Sequence, residues 1–173
     1  MSVITSFPPI VDSRCQILIL GSMPSIRSLQ AQEYYAHPQN QFWKIMAVLL
    51  GHALPLTYAQ KKRMLLKSRI ALWDVISSCK REGSLDSRIR QVKFNDFAAL
   101  FKKYKSIRAV FCNGNTAFKL FQKASHRCDL PVFPVPSTSP AYTKSLAWKT
   151  GRWKNILPII DDRQRLFDKS SKV

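Results

Sequence analysis

Four short apolar runs constrain the fold of this chain more than any other feature of its sequence. They occupy residues 17–20, 70–76, 107–112 and 131–135, and each has the length of a β-strand. The first run, Ile17-Leu18-Ile19-Leu20, is apolar throughout, which is typical of a strand covered on both faces. The segments between the runs are long enough for helices, and parallel neighbouring strands need connections of that length. The pattern therefore predicts an α/β fold with a central four-stranded parallel sheet and helices on both faces.

Helices are predicted between the runs from apolar periodicity and capping residues. Residues 40–50 form the clearest one, because apolar side chains recur on one helical face and Gly51 follows as a stop. That face consists of Phe42, Ile45, Met46 and Leu49. Further helices are predicted to begin at a Thr57–Gln60 capping box, at Asn95 and after the turn at residues 113–116, and another spans residues 143–157. The polar stretch 77–90 has no clear period and is predicted to be a loop, and the tail after Asp161 is predicted to fray.

The length of the chain predicts its domain organisation. A chain of 173 residues fits one domain and is long enough to bury a proper core. No internal repeat, low-complexity tract or long linker divides it. We therefore predict a single domain over residues 1–173, with residues 1–14 and 162–173 peripheral, and we expect a monomer.

The charge of the chain predicts a polyanionic partner. There are 28 Lys and Arg residues against 10 Asp and Glu, a formal net charge of +18, and 11% of the residues are aromatic. Charge alone does not separate DNA, RNA and an anionic membrane surface, since all attract a basic face by the same Coulomb interaction. No apolar run approaches the roughly 20 residues that cross a bilayer, and residues 1–5 lack the features of a signal peptide. We expect a cytoplasmic protein, associated with the nucleoid in a prokaryote.

The cysteines and histidines do not predict a metal or cofactor site. The four cysteines, Cys15, Cys79, Cys112 and Cys128, are scattered, and no two have the spacing of a metal or redox pair. Buried thiols are favoured over disulfides in a cytosolic chain of this size, and an iron–sulfur cluster is disfavoured. The three histidines are also far apart in sequence.

Polar and glycine-containing turns follow all four predicted strands. They are Gly21-Ser22-Met23-Pro24-Ser25, Asp74, Asn113-Gly114 and Pro136-Ser137-Thr138-Ser139-Pro140. In open α/β sheets ligands bind beyond the carboxyl ends of the strands. The four turns are therefore expected to meet at one edge of the sheet and to form the functional site there.

Three motifs follow one another along the chain. They are Gly21-Ser22-Met23-Pro24-Ser25, His37-Pro38-Gln39-Asn40-Gln41-Phe42-Trp43 and Pro136-Ser137-Thr138-Ser139-Pro140-Ala141. Together they resemble the uracil-DNA glycosylase superfamily, and most closely its hypoxanthine-DNA glycosylase branch, over residues 17–153. The resemblance implies a three-layer α/β/α sandwich without a metal. It also implies a monofunctional DNA repair enzyme that flips a deaminated base out of DNA and hydrolyses its N-glycosidic bond.

Asn40 is the catalytic residue that the resemblance implies. Many branches of the superfamily place an Asn or Asp just before the proline of the first motif, where this chain has Met23, and methionine cannot activate water. In the hypoxanthine branch the working Asn belongs to the second motif, which corresponds to Asn40. An amide oxygen can position a water molecule without an unusual pKa. The alternative interpretation of Asn40 is helix N-capping, since Phe42 follows closely.

The remaining site residues are assigned to the base or to the DNA backbone. Tyr35 matches an aromatic residue that stacks on the flipped base in related glycosylases, and the predicted base-binding residues are Gly21, Ser22, Met23, Tyr35 and Asn113. The predicted DNA-binding residues are Ser25, His37, Ser137, Thr138, Ser139, Ala141 and Lys144. Asp74 is not assigned, because an Asp at the end of a strand commonly caps the next turn.

Several functions remain open at this level. The resemblance favours hypoxanthine, from deoxyinosine in double-stranded or single-stranded DNA, and uracil or a mismatched base is the alternative. A basic nucleic-acid-binding module without activity also explains the charge, although it does not explain the ordered motifs. A phosphate cradle at residues 21–25 of a nucleotide-using enzyme is disfavoured, because the turn lacks the glycines and the lysine of a P-loop.

Overall fold

The computed structural model describes residues 3–125 and 128–160. The strands are β1 (Val3–Thr5), β2 (Ile17–Gly21), β3 (Ile70–Asp74), β4 (Ile76–Lys80), β5 (Arg90–Phe94), β6 (Ala109–Asn113) and β7 (Val132–Val135). The helices are α1 (Ile26–Ala31), α2 (Phe42–Leu49), α3 (Tyr58–Lys67), α4 (Phe97–Lys103), α5 (Asn115–Ala124), α6 (Leu146–Trp153) and α7 (Leu157–Ile160). Two 3₁₀ turns cover Asp86–Arg88 and Lys154–Ile156.

The central sheet is parallel and has the strand order β3-β2-β6-β7. Its four strands are the four apolar runs, so the predicted α/β fold with a four-stranded parallel sheet is confirmed. The second run is split, because β3 ends at Asp74 and the chain then leaves the sheet. At that point the Val75 amide donates to the Gly21 carbonyl at 2.8 Å, and β4 begins at Ile76.

Helices cover both faces of this sheet, which confirms the three-layer arrangement. Successive residues of β2 point to opposite faces, with Ile17 and Ile19 in one core cluster and Leu18 and Leu20 in the other. The first cluster includes buried side chains from α2, α3 and α6, and the second includes side chains from α4 and α5. All four residues of the run are fully buried, as expected for a central strand of a parallel sheet.

The predicted loop at residues 77–90 is wrong in part. Residues Ile76–Lys80 and Arg90–Phe94 form the antiparallel pair β4–β5, and β1 pairs with the other edge of β4. The pattern is weak because Ser77 and Ser78 interrupt the apolar residues, while Ile76 and Cys79 are buried against Met23. Helix α1 and strand β1 were also not predicted, since both are short.

Helix caps agree with prediction at one site and differ at another. Thr57 and Gln60 form the predicted capping box at the start of α3. Helix α4 is capped by Asp96, whose carboxylate accepts from the Ala99 amide at 2.9 Å, so the prediction of Asn95 as the cap is wrong. The side-chain Nδ2 of Asn95 instead donates to the Asp74 carbonyl at 2.8 Å, and this bond holds the end of β3 where the chain leaves the sheet.

Other features of the prediction can be compared with the described residues. The helix predicted over residues 143–157 is shorter, since α6 begins after the Ser145 cap and gives way to a 3₁₀ turn after Trp153. All four cysteines are free thiols. Within residues 3–125 and 128–160, no helix is both long and apolar enough to cross a bilayer. The predicted fraying after Asp161 concerns residues outside the described part of the chain.

Candidate active site

A cavity of about 350 Å³ lies at the carboxyl edge of the parallel sheet. The turns that follow β2, β3, β6 and β7 meet there, together with Tyr35 and Asn40 from the second motif. Most of the predicted site residues line this cavity: Gly21, Ser22, Met23, Ser25, Tyr35, Asn40, Asn113, Ser137, Thr138, Ser139 and Ala141. His37 and Lys144 are not among its lining residues.

Asn40 is held in place just before α2. Its Oδ1 atom accepts a hydrogen bond from the Phe42 amide at 3.0 Å, and its own amide donates to the His37 carbonyl at 2.8 Å. The next residue, Gln41, donates its amide to the Thr138 carbonyl at 3.0 Å, which ties the start of α2 to the third motif. Asn40 therefore bonds to the first turn of α2, as the helix-capping interpretation expects, but it does so from the position before the N-cap residue Gln41, whose own side chain makes no cap bond. A second lone pair of Oδ1 remains for another donor in the cavity.

Tyr35 forms part of the cavity wall in a strained conformation. Its backbone has a φ of 54°, which is unusual for a residue with a side chain. Its ring stacks on Phe42 with 4.2 Å between centroids. Its hydroxyl oxygen has no partner of good hydrogen-bond geometry among the described residues, although the Asn113 side chain is close enough to act on its pKa. Burial raises the pKa of this hydroxyl, so the group is neutral at physiological pH. The position keeps one aromatic surface packed and the other available to the cavity.

Gly21 allows two polar groups to approach the end of β2. A Cβ atom at this position would lie 2.4 Å from Asp74 Oδ1 and 2.9 Å from Tyr35 Oη. Real Cβ atoms do not come that close to other heavy atoms, and Asp74 pairs directly with Gly21 in the parallel register. Only glycine therefore fits at this position.

Asn113 clamps the third motif to the sheet. Its Oδ1 accepts from the Thr138 amide at 2.9 Å, and its Nδ2 donates to Thr138 Oγ1 at 2.9 Å. Thr138 is fully buried, so its hydroxyl has no surface to offer a phosphate. The predicted DNA contact of Thr138 is therefore replaced by a positioning role. Ser137 and Ser139 remain partly exposed on either side of it.

Three other predicted residues have structural partners. Met23 is 7% exposed and packs with Ile76 and Cys79, so little of this residue is open to the cavity. Ser25 caps α1, its Oγ accepting from the Ser28 amide at 3.2 Å. His37 Nδ1 accepts from the Gln39 amide at 3.2 Å, which stabilises the turn before Asn40.

The turn between β4 and β5 supplies residues that sequence analysis missed. Ser22 Oγ lies 2.8 and 2.9 Å from the two carboxylate oxygens of Asp86 and donates to them. Arg81 is 5% exposed and donates to the carbonyls of Gly83 and Pro24. These bonds fasten the β4–β5 turn to the first motif. The sequence feature that could have drawn attention to Asp86 is the scarcity of acidic residues, since the chain has 10 Asp and Glu in total.

Asp74 is a buried carboxyl group at the floor of the cavity. It is 3% exposed, and its Oδ2 has no hydrogen-bond partner among the described residues. Burial raises its pKa to about 8, with a further rise from the negative charge of Asp86 and a partial offset from Arg81. The group is therefore mostly protonated at neutral pH and can donate a hydrogen bond. Sequence analysis left Asp74 unassigned, because burial cannot be inferred from a strand-end Asp alone.

The described side chains contain no candidate metal centre. Among residues 3–125 and 128–160, no three His, Cys, Asp or Glu side chains are grouped so that they could bind a metal ion. The polar groups that line the cavity are instead amides, hydroxyls and the carboxyls of Asp74 and Asp86. These groups can exchange hydrogen bonds with a neutral ring and with water.

We expect Asp74→Asn to remove a pH dependence of stability. The folded-state pKa of Asp74 is raised from 3.8 to about 8, so the folded protein holds this proton more tightly than the unfolded chain. The resulting stabilisation is fully present below about pH 4 and is lost as the pH rises to about 8. Asn cannot ionise, so the free energy of unfolding of the variant relative to wild type should increase over this range.

Urea unfolding at a series of pH values measures this difference. The raised pKa of Asp86 acts in the same direction in both proteins. Parallel stability curves for wild type and Asp74→Asn would show that Asp74 has an ordinary pKa in the folded state.

Comparison with known proteins agrees with the three motifs. The chain matches the sequence model of the uracil DNA glycosylase superfamily over residues 8–157. It is 40% identical over 151 residues to a hypoxanthine DNA glycosylase of Methanosarcina acetivorans, covering 87% of this chain and 95% of the relative. A protein of the same name from Methanosarcina barkeri is 37% identical over 109 residues, covering 62% of this chain and 69% of the relative.

A solved structure also resembles the fold. The solution NMR structure of a candidate uracil DNA glycosylase from Methanosarcina acetivorans has a TM-score of 0.76 and 31% sequence identity with this chain. The match covers 89% of this chain and 98% of the other. Motifs, sequence and fold therefore agree, and the chain belongs to the uracil DNA glycosylase superfamily.

Proposed function

We propose that this protein is a DNA glycosylase that flips a deaminated base out of DNA and hydrolyses its N-glycosidic bond. The base we favour is hypoxanthine, from deoxyinosine in double-stranded or single-stranded DNA. One observation carries the proposal: Asn40 lies in the wall of a cavity that also presents the Tyr35 ring and the buried Asp74 carboxyl. An amide that positions water, an aromatic stacking surface and a neutral hydrogen-bond donor together can support base release.

Asn40 positions the water that attacks the sugar. Its Oδ1 is fixed by the bond from the Phe42 amide, and its second lone pair accepts a hydrogen bond from water. An amide is a weak base and does not remove a proton at the start of the reaction. Bond cleavage must therefore run ahead of water attack, and the water meets a sugar that already carries positive charge.

Asp74 stabilises the departing base. A purine that leaves by this route carries away the bonding electrons, so donors aimed at its ring atoms lower the barrier. The protonated Asp74 carboxyl lies at the cavity floor and supplies such a donor without a full charge. An ionised carboxylate would repel the same leaving group.

Tyr35 supports the flipped base by stacking. Phe42 packs against its ring, which orients the ring and reduces the entropy that binding would otherwise cost. Aromatic faces accept any base, so this contact holds the ring while hydrogen bonds select it. Backbone groups of Ser22 and Met23 and the amide of Asn113 complete the base subsite.

The basic charge and the third motif bind the DNA backbone. Ser137, Ser139 and Ala141 lie on the loop that Asn113 clamps, and Lys144 follows it. The net charge of +18 attracts DNA over a long range. We propose that the protein acts as a monomer in the cytoplasm, on the nucleoid in a prokaryote, and without a cofactor.

Uracil is the second candidate substrate. The solved relative is described as a candidate uracil DNA glycosylase, whereas the sequence relatives are named for hypoxanthine. Oligonucleotides that each carry one deoxyinosine, deoxyuridine, deoxyxanthosine or mismatched thymidine, tested for abasic sites, distinguish these activities. Binding without release from every one of them would identify a module without activity.

We expect Asn40→Ala to abolish or nearly abolish release of hypoxanthine while DNA binding and fold persist. Asn40→Asp should retain measurable activity, because a carboxylate keeps the acceptor oxygen and still caps α2. Single-turnover release, lesion binding and thermal unfolding are measured on wild type and both variants.

A residue that merely caps the helix gives a different result. Asn40→Ala would then lower the free energy of unfolding by roughly 0.5 to 2 kcal/mol, with cleavage near the wild-type rate. Full cleavage by Asn40→Ala would refute the proposed mechanism. Thr57→Ala, which removes the cap of α3 outside the cavity, is the matched control for lost capping.

Tyr35→Ala is expected to weaken lesion binding by roughly 1 to 3 kcal/mol, since it removes the stacking surface. Tyr35→Phe should be tolerated, because the hydroxyl has no partner among the described residues while the ring remains. Binding titrations with a deoxyinosine duplex test both. Equal losses in the two variants would assign the effect to the hydroxyl.

DNA affinity is expected to fall steeply with salt. A face that neutralises several phosphates releases their counterions, so the logarithm of the affinity should decrease linearly with the logarithm of salt between about 50 and 200 mM. Fluorescence anisotropy with an undamaged duplex measures the slope. A flat plot would contradict backbone binding by the basic surface.

A further inference from the structure

A second cavity, of about 420 Å³, adjoins the first. Four residues belong to both: Asp86, Asn113, Ser137 and Tyr142. Its outer wall includes Trp148 and Arg152 of α6, residues that the glycosylase mechanism above does not use. The two cavities are similar in volume, at about 350 and 420 Å³.

The outer wall is a layered platform of aromatic and cationic groups. The Arg152 guanidinium lies 3.7 Å from the centre of the Trp148 ring, and Lys144 Nζ lies 5.7 Å from the same ring. The Tyr142 ring is next, with its centroid 6.1 Å from that of Trp148. Lys149 Nζ lies 5.3 Å from the Tyr142 ring. Two neighbouring rings therefore have three cations packed around them, and one of these cations, Arg152, lines the second cavity.

Lys149 fixes this platform to the third motif. It is 1% exposed and its Nζ donates to the Ser139 carbonyl at 3.4 Å. A buried ammonium is costly, and burial lowers the pKa of this one. The Lys149 ammonium nevertheless has a structural role here, because it joins α6 to the loop that carries Ser139 and Tyr142. This bond fixes the position of the platform relative to the active-site loop.

We propose that the second cavity binds the nucleotide next to the flipped one, with its base stacked against the Trp148–Arg152 pair. The inference rests on the proposed function, because it takes the first cavity as the site of the flipped nucleotide. Planar guanidinium groups and aromatic rings are the surfaces on which unpaired bases stack. The linking phosphate would cross the shared wall near Ser137.

The shared wall is compatible with that path. The acidic group in it, Asp86, has both carboxylate oxygens directed at Ser22 Oγ. Arg152 lines the second cavity together with Asp86, and Lys144 lies beside the same Trp148 ring, so this cavity has cationic groups as well as the carboxyl. A nucleotide bound there has left its own base pair, so the subsite favours single-stranded or locally opened DNA over intact duplex.

Binding of truncated oligonucleotides to matched variants tests this subsite. The probe is a labelled single strand with a tetrahydrofuran abasic analogue, which cannot be cleaved, extended on both sides or cut short on the 5′ or the 3′ side. Dissociation constants are measured by anisotropy for wild type, Trp148→Ala, Trp148→Phe, Arg152→Lys and the control Lys103→Gln. Lys103 also lies against an aromatic ring, Tyr104 at 5.4 Å, but on α4 across the sheet.

We expect the loss of affinity from truncation and the loss from substitution to be non-additive. Removing the flank on one side should weaken wild type, Lys103→Gln and Trp148→Phe on the order of ten-fold. It should weaken Trp148→Ala hardly at all, because that variant has already lost the contact. Arg152→Lys keeps the positive charge but loses the planar guanidinium group. Its affinity should therefore respond to truncation as weakly as that of Trp148→Ala does. If Trp148→Ala does not fold, Arg152→Lys carries the comparison.

Two results would overturn the subsite. One is an equal further loss on truncation in Trp148→Ala, Arg152→Lys and wild type, and the other is indifference of wild type to truncation on both sides. Release of hypoxanthine from a deoxyinosine oligonucleotide is scored separately on the same proteins. If the proposed function is wrong, hypoxanthine is not released. If the subsite is wrong, truncation and substitution reduce the affinity additively.

Discussion

The close approach of three residues at the end of β2 is the constraint on which the candidate site depends. Gly21 pairs with Asp74 in the parallel register, and a side chain at Gly21 would overlap Asp74 Oδ1 and crowd Tyr35 Oη. The apolar strand before Gly21 fixes the position of the turn, and the missing Cβ provides the space above it. The cavity therefore begins where the central strand ends, which joins its chemistry to the most buried part of the fold.

The electrostatics of the molecule differ between its surface and this cavity. The chain carries a net charge of +18, yet two of its few carboxyl groups, Asp74 and Asp86, lie at the cavity with Arg81 nearby. Burial raises the pKa of both carboxyls, and it raises that of Asp74 to about 8, so Asp74 is a mostly neutral donor inside a strongly basic protein. Surface charge suits a phosphate backbone, while a neutral purine ring is better matched by hydrogen bonds that add no charge.

The sequence predicted those parts of the fold that depend on local pattern. The four apolar runs became the parallel sheet, and the Thr57–Gln60 box capped its helix, because both are determined within a few residues. The β4–β5 pair was missed, since its serine-rich strand is stabilised by pairing with distant β1. The Ser22–Asp86 bond joins residues 64 positions apart, and no local pattern reports such a contact.

Asn40 illustrates why a structural and a catalytic interpretation of one residue need not compete. The bond from the Phe42 amide to Oδ1 satisfies a free donor at the start of α2, which is the role of a cap. The same bond fixes the direction of the remaining lone pair of Oδ1, which is what a water-positioning group requires. A group already oriented by the fold does not have to reorganise during the reaction. Because the Thr138 carbonyl binds the next amide, the direction of Asn40 is also coupled to the loop proposed to bind DNA.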